Sequence, residues 1–209
     1  MAASGRIAVI YAHSATHLSR VNRLMRDAVR ELPTVTVRDL YDTYPDFHIE
    51  VGAEQALLEA ADLVVLQHPL QWYGMPSLLK EWVDAVLTHG WAYGEGGDRL
   101  RGKAFMLVVT AGGTAPSYAA DGVHGYPFAD FLPPYIQIAR LCGMRWQPPL
   151  ILHGAHRVDD AAVARHVSEY VARLSGFAAV AAARGQNLTG GSMPALGADH
   201  GPAEDSHGT

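Results

Sequence analysis

The chain has 209 residues, of which 49% are hydrophobic and 18% are charged, and its formal net charge at pH 7 is −5. This composition predicts one folded globular domain with a sizeable core, and the acidic balance argues against nucleic acid or an anionic membrane surface as the main partner. Cys142 is the only cysteine, which excludes an intramolecular disulfide and a cysteine-based metal cage. Its apolar neighbours predict an inert core residue.

The apolar segments are too short for export or for a membrane span. The first of them, IAVIYA, falls short of a secretory signal and is not followed by a small-residue cleavage site. No segment reaches the roughly 18 uninterrupted apolar residues that cross a bilayer. The sequence therefore predicts a cytoplasmic protein.

Apolar strand-like runs alternate with helical patterns five times along the chain. The predicted strands span residues 6–13, 35–40, 63–68, 103–110 and 149–153. The predicted helices span residues 20–32, 51–61, 76–87, 128–142 and 159–183. Such alternation predicts an α/β fold with a doubly wound, five-stranded parallel sheet in the order 2-1-3-4-5 and helices on both faces. We expect one domain over residues 1–184 and a disordered tail, rich in Gly, Pro and Asp, over residues 185–209.

The loop after the first predicted strand leads into the amino end of a helix, where unpaired N–H groups favour a phosphate. The Ser19 hydroxyl and the amides of Arg20, Val21 and Asn22 could hold that phosphate, with His13 and His17 as further donors. Alternatively, Ser19 is a plain helix cap and the histidines are surface residues. No G-x-G-x-x-G dinucleotide pattern follows this strand.

The loops after the third and fourth predicted strands should lie at the same edge of the sheet as the first loop. In the third-strand loop, PLQWYGMP, Trp72 and Tyr73 could flank a planar ring while the amides of the same turn donate to the polar edge of that ring. In the fourth-strand loop, which begins at Thr110, Gly112 and Gly113 let successive N–H groups converge on an acceptor, which suits an anion. The alternatives are ordinary packing of the two aromatic residues under a loop and an ordinary tight turn at the glycines.

The longest distinctive block is HPLQWYGMPSLLKEWVDAVLTHGWAYGEGG, which begins at His68 and is followed by GK and TAGG. This block closely resembles the flavodoxin-like NAD(P)H:quinone oxidoreductases, especially the KefF-type flavoproteins that accompany glutathione-gated potassium efflux systems. The resemblance covers about residues 6–175 and includes YAH at 11–13, LYDTYPDFHIE at 40–50 and the WQPP that begins at Trp146.

This resemblance implies a flavodoxin-like fold and a bound flavin, FMN, with FAD as the alternative. The phosphate would lie near His13 and residues 19–22, and the isoalloxazine ring would be held by residues 69–73 and 110–113. Two positions depart from the family pattern: Ser14 stands where proline is frequent, and Ala111 stands where a second threonine is common.

A second resemblance concerns DT-diaphorase, in which a tyrosine and a histidine follow the glycine pair. Here Tyr118 lies five residues after Gly113, and His124 lies six residues further on within GVHG. In those relatives the pair is thought to neutralise negative charge on the flavin during hydride transfer. Taken without the resemblance, Tyr118 could be a surface aromatic residue and His124 a turn residue.

The leading hypothesis is thus an FMN-dependent, two-electron NAD(P)H:quinone oxidoreductase in which nicotinamide and quinone alternate at one site. Trp91 and Tyr93 are expected to shape the outer substrate pocket, that of a neighbouring subunit if the chain forms the homodimer typical of the family. A second hypothesis is an ancillary subunit that activates a potassium efflux antiporter at the membrane. A third is a one-electron carrier, against which the modest net charge argues.

Overall fold

The computed structural model describes residues 5–189 of the chain. Its strands are β1 (Ile7–Tyr11), β2 (Val35–Asp39), β3 (Leu63–Pro69), β4 (Ala104–Thr110), β5 (Arg145–Trp146) and β6 (Leu150–Leu152). Its α-helices are α1 (Val21–Arg30), α2 (Leu40–Thr43), α3 (Val51–Ala60), α4 (Ser77–Val86), α5 (Pro133–Leu141) and α6 (Asp160–Thr189). Short 3-10 helices span Thr16–Leu18, Ala115–Ser117 and Phe128–Phe131.

The strands form one parallel sheet in the order β2-β1-β3-β4-β5, with β6 also paired to β4. This order confirms the predicted flavodoxin-like arrangement. Every residue of β1 and β4 is buried, as expected for strands that helices cover on both faces. Because the strands are parallel, the sheet has a carboxyl edge, where β1, β3 and β4 end, and an amino edge, where they begin.

Two apolar layers cover the sheet, one on each face. On one face α3, α4 and α5 pack against the strands through residues such as Leu58, Trp82 and Tyr135. On the other face α1 and α6 do so through Met25 and Leu174. Each layer removes large side chains from water, which is the main favourable contribution to folding.

Cys142 is buried at the end of α5, as predicted. Burial raises the pKa of its thiol to about 11, so the nucleophilic thiolate is disfavoured. The sequence interpretation of this cysteine as an inert core residue is consistent with this environment.

A buried carboxylate joins four elements of the first layer. Glu54 of α3 accepts hydrogen bonds from the Tyr44 hydroxyl at 2.6 Å and from the Trp82 indole N–H at 3.0 Å. Its Oε1 also lies 2.9 Å from Nε of Arg38 on β2. These contacts satisfy a charge that would otherwise be costly to bury. Burial and the Glu54 carboxylate raise the pKa of Tyr44 to about 12.

The fifth position of the sheet is split, which the sequence interpretation missed. The predicted strand 149–153 corresponds to β6, whereas β5 was not predicted. Pro148 and Pro149 separate the two segments and lack the N–H groups that a continuous ladder needs. The predicted helix 128–142 is likewise divided into a 3-10 turn and α5.

Three further boundaries differ from the predictions. Ser19 does not cap α1: the N-cap is Arg20, and no side chain there makes a capping hydrogen bond. Pro76 is the N-cap of α4 instead of a residue of its first turn. Helix α6 continues to Thr189, past the predicted domain boundary at residue 184. The remainder of the predicted tail, residues 190–209, lies outside the described residues. Within residues 5–189, no helix has the length and apolar character to cross a membrane.

Candidate active site

The loops that follow β1, β3 and β4 meet at the carboxyl edge, as predicted. The Leu70 amide donates to the Thr110 carbonyl at 2.7 Å, which ties the loop after β3 to the end of β4. The Gln71 side chain donates to the Ser14 hydroxyl at 3.1 Å, which ties the same loop to the one after β1. The loop after β6 joins this group because the Gly154 amide donates to the Gly113 carbonyl at 2.8 Å.

A strained two-residue turn presents an aromatic side chain at this edge. Gln71 and Gly74 exchange backbone hydrogen bonds of 3.0 and 2.9 Å, and the two residues between them, Trp72 and Tyr73, have φ values of 47° and 64°. This is the geometry of a type I′ turn, which favours Asn and Gly at both positions. Trp72 is nevertheless 95% exposed. Strain of this kind persists where the surrounding structure enforces it and clusters at functional sites.

The predicted pair, Tyr118 and His124, stacks at the same edge. Their ring centroids are 4.2 Å apart with an interplanar angle of 19°. The Tyr73 hydroxyl lies 3.4 Å from Nδ1 of His124, so the aromatic turn contacts the pair. The Gly113 backbone approaches both rings so closely that a Cβ there would lie 2.6 Å from His124 Nε2. The structure therefore brings together residues from the loops after β3 and β4.

Apolar surroundings tune the polar groups of this pair. Burial, and to a smaller extent Tyr73, raises the pKa of Tyr118, so its hydroxyl stays protonated and able to donate at neutral pH. Phe128 and His153 pack around the Tyr118 ring, with centroids 5.0 and 5.4 Å away. Burial lowers the pKa of His153, which favours the neutral imidazole. The sequence interpretation placed His153 at the end of the predicted strand 149–153 and did not assign it to the site.

On the opposite side of the site, the polar side chains near α1 are largely engaged within the protein. The Arg20 guanidinium donates to the Val158 carbonyl at 2.8 Å and pairs with Asp160. The Asn22 amide donates to the Thr110 hydroxyl at 2.7 Å. Ser19 is buried and Val21 is an apolar core residue. A phosphate at this position would therefore depend on backbone N–H groups more than on these side chains.

Three histidines lie close together beside this amino end. Burial lowers the pKa of His13, and the neighbouring His156 and His17 lower it further by charge repulsion. Nδ1 of His13 accepts a hydrogen bond from the Ala15 amide at 3.1 Å. The His156 ring packs against Gly112, where a Cβ would lie 3.2 Å away. His156 was not predicted, and only the closing of the β6 loop onto the glycine pair brings it here.

A fully buried histidine positions the start of the aromatic loop. Nδ1 of His68 lies 2.9 Å from the Pro69 carbonyl, and its ring stacks on Tyr135 with centroids 5.6 Å apart. Burial lowers the pKa of His68 to about 4. The ring is therefore neutral at pH 7, and a hydrogen on Nδ1 lets it donate to that carbonyl.

Trp91, by contrast, is not near the Tyr118–His124 pair within one chain. Its indole N–H donates to Glu59 at 2.9 Å, and the Glu59 carbonyl accepts from Lys103 at 2.8 Å. Because Lys103 immediately precedes β4, these contacts lie at the amino edge. Tyr93 belongs to the same loop and packs edge-on against His89. Their assignment to a substrate pocket stays a prediction that requires a second subunit.

The fold agrees with that of known proteins. The flavodoxin-like fold family matches residues 5–174, and the chain belongs to this family. The chain is 44% identical over 169 residues to the glutathione-regulated potassium-efflux system ancillary protein KefF of Salmonella schwarzengrund. That match covers 80% of this chain and 94% of the relative.

Two solved structures are also similar. The general stress protein 14 of Treponema denticola, solved in complex with FMN, is 39% identical with a TM-score of 0.77, and the match covers 82% of this chain and 99% of that one. An NADPH-quinone reductase from P. pentosaceus is 27% identical with a TM-score of 0.73, covering 79% and 95% of the two chains.

Proposed function

We propose that the protein is an FMN-dependent NAD(P)H:quinone oxidoreductase that transfers two electrons. The observation that carries this proposal is the stacked Tyr118–His124 pair, held against Gly113 beside the strained Trp72–Tyr73 turn. Exposed aromatic surface beside fixed donors suits a planar ring with a polar edge. The relative crystallised with FMN and the relative described as an NADPH-quinone reductase support the same assignment.

The residues at the carboxyl edge fit FMN. No side chain caps the amino end of α1, so its N–H groups are free of side-chain capping partners, and His13, His17 and His156 surround this end with possible donors. Gly113 leaves space that a Cβ would fill, as close approach of a backbone to a ring requires. FAD would use the same phosphate position and is the alternative cofactor.

When bound, the flavin would supply the redox chemistry, which is two-electron hydride transfer between a nicotinamide and a quinone. Trp72 and the residues of the Thr110–Gly113 segment would hold and orient the ring. Tyr118, kept protonated by burial, and His124 would donate hydrogen bonds to the polar edge of the ring. Because the pair is packed in place by Phe128 and His153, its donors need little reorganisation when charge develops.

The first test is the absorption spectrum of the purified chain, followed by release of the chromophore and measurement of its mass. A colourless chain that neither FMN nor FAD reconstitutes would refute the proposal.

The second test is turnover with NADPH and menadione. Combining Tyr118→Phe with His124→Gln should slow flavin reduction by about a hundredfold without loss of flavin. Tyr126→Phe, an exposed tyrosine of the same loop, is the matched control and should leave the rate unchanged.

A second candidate function is an ancillary role beside a potassium efflux antiporter. The observation that favours it is the match to KefF over 94% of that relative's length. In this case the chain would be a cytoplasmic homodimer that docks on the membrane protein, and Trp91 and Tyr93 would complete the partner's site. Co-purification with the antiporter encoded in the same organism and reduced potassium efflux on deletion would support this role. If the variant that combines Tyr118→Phe with His124→Gln still supports potassium efflux, the ancillary role does not depend on catalysis.

A further inference from the structure

A cleft of about 930 Å³ opens at the amino edge of the sheet, on the opposite side of the molecule from the candidate active site. It lies between the starts of the strands and residues 173–181 of α6. Among the described residues, six arginine and lysine side chains and two carboxylates line it. This excess of positive charge is notable because the chain as a whole carries a net charge of −5.

The sheet itself places four of these charged residues in a row. Arg6 precedes β1, Asp62 precedes β3, Lys103 precedes β4 and Arg145 begins β5. These four strands are neighbours in that order, and adjacent strands are about 4.8 Å apart. Charges at the beginnings of parallel strands therefore face the same cleft, because the parallel register aligns them.

Several of the cations already have partners. Lys103 donates to the Glu59 and Ala61 carbonyls at 2.8 and 2.6 Å and so caps the carboxyl end of α3. Burial lowers the pKa of Lys103. Arg173 donates to Glu169 and to the Pro148 carbonyl. Lys103 and Arg173 therefore line the cleft, but their charged groups are already engaged within the protein.

The guanidinium groups of Arg101 and Arg145, in contrast, make no hydrogen bond or ion pair with any residue in the described part of the chain. Their segments are held side by side, since the Gly102 amide donates to the Gly143 carbonyl at 2.9 Å and the Arg145 amide to the Lys103 carbonyl at 2.8 Å. Two unpaired guanidinium groups are thus presented by rigid backbone to one cavity. Guanidinium groups match phosphate oxygens in a bidentate geometry.

The cleft also has an apolar side. Leu63 of β3 and Met106 of β4 line it on the side of the sheet, and Phe177 and Val180 line it on the side of α6. Val180 is 54% exposed although it is a large apolar residue of a long helix. A ligand that combines an anionic group with an apolar or aromatic body would satisfy both surfaces.

We propose that this cleft binds a small phosphorylated molecule with a planar apolar body, of the nucleotide class. Its volume falls within the roughly 300–1,000 Å³ of small-molecule sites, and its concave shape suits a small ligand better than a protein or nucleic-acid surface. The unpaired guanidinium groups bind the phosphates, and the α6 side chains contact the base. The site is separate from the nicotinamide and quinone site proposed above, which lies at the carboxyl edge.

The test is calorimetric titration of ADP into the full chain loaded with equimolar FMN, so that the flavin site is filled. We expect ADP to bind in the micromolar range, more tightly than inorganic pyrophosphate, while adenosine binds far more weakly than either. The double variant Arg101→Gln/Arg145→Gln should weaken ADP binding by at least about tenfold. Arg165→Gln removes an exposed arginine of α6 that does not line the cleft and should leave binding unchanged.

Equal ADP affinity in the double variant and in Arg165→Gln would overturn the proposal, as would no ADP binding at millimolar concentration. Circular dichroism of the double variant checks that it is folded, and we expect it to be, since both guanidinium groups are exposed and unpaired. A chain that holds no flavin but still binds ADP through Arg101 and Arg145 would refute the proposed redox function and leave this site standing.

Discussion

The glycine pair after β4 allows a direct test of how the candidate active site works. A Cβ on Gly113 would lie 2.6 Å from Nε2 of His124, which is too close for a real contact, and 3.0 Å from Cε2 of Tyr118, which is tighter than most real contacts. Gly113→Ala must therefore push the stacked pair away from its position. A Cβ on Gly112 would lie 3.2 Å from the His156 ring, which needs only a small adjustment. The two substitutions add the same methyl group to adjacent residues.

The distances set the expected magnitude. Restoring ordinary contact at Gly113 displaces the His124 ring by roughly 1 Å, and a misplacement of that size can cost about a hundredfold in rate. We expect Gly113→Ala to slow flavin reduction by about this factor, which is roughly 2.7 kcal/mol in the activation barrier. Gly112→Ala should slow it by no more than a few fold. The assay is anaerobic stopped-flow reduction by NADPH, with rates normalised to bound flavin.

Flavin content separates the two ways in which Gly113→Ala could fail. Loss of rate with full flavin content is the expected result, because the backbone N–H groups remain in place. A rate within twofold of the unsubstituted protein would refute the role assigned to the stacked pair. Equal losses in Gly112→Ala and Gly113→Ala would show that the whole loop, not the position of His124, controls the reaction.

Three further predictions concern stability. Burial lowers the pKa of His68 from 6.5 to about 4, so as pH falls the unfolded chain binds a proton at this residue before the folded chain does. The free energy of unfolding should therefore fall by roughly 3 kcal/mol between pH 7 and 4 because of His68. His68→Gln should remove this part of the pH dependence, measured by urea unfolding. Replacing Trp72 by Asn and Tyr73 by Gly should relieve the turn and raise the melting temperature while weakening flavin binding. Glu54→Gln should cost about 2 kcal/mol by chemical denaturation, whereas exposed Glu50→Gln should cost under about 0.5 kcal/mol.

The order of the strands and the meeting of their loops could be predicted because both follow from alternating patterns and parallel connectivity. What could not be predicted depends on tertiary contacts. The split at Pro148 requires knowing that both halves pair with β4. His156 joins the site only because the Ala155 amide donates to the Ala111 carbonyl at 2.9 Å. Neither contact leaves a periodic signal in the sequence.

The strain at Trp72 and Tyr73 has a similar explanation. Local preference would place Asn and Gly there, so the sequence alone argues against this turn. The turn forms because Leu70 is fixed to Thr110 and Gln71 to Ser14, which leaves two residues to reverse the chain. The hydrogen bonds to β4 and to the loop after β1 therefore offset the conformational energy of the two unfavourable φ values.

The same sheet separates the two proposed sites. Strands β3 and β4 each have seven residues, and at about 3.3 Å per residue they span roughly 20 Å from the amino to the carboxyl edge. A ligand in the cleft beside Arg101 and Arg145 would therefore not touch a flavin near Tyr118 and His124. Any effect of ADP on quinone reduction would have to pass through these buried strands. Because packed strands deform little, we expect the affinity for ADP to be the same in the oxidised and the reduced protein.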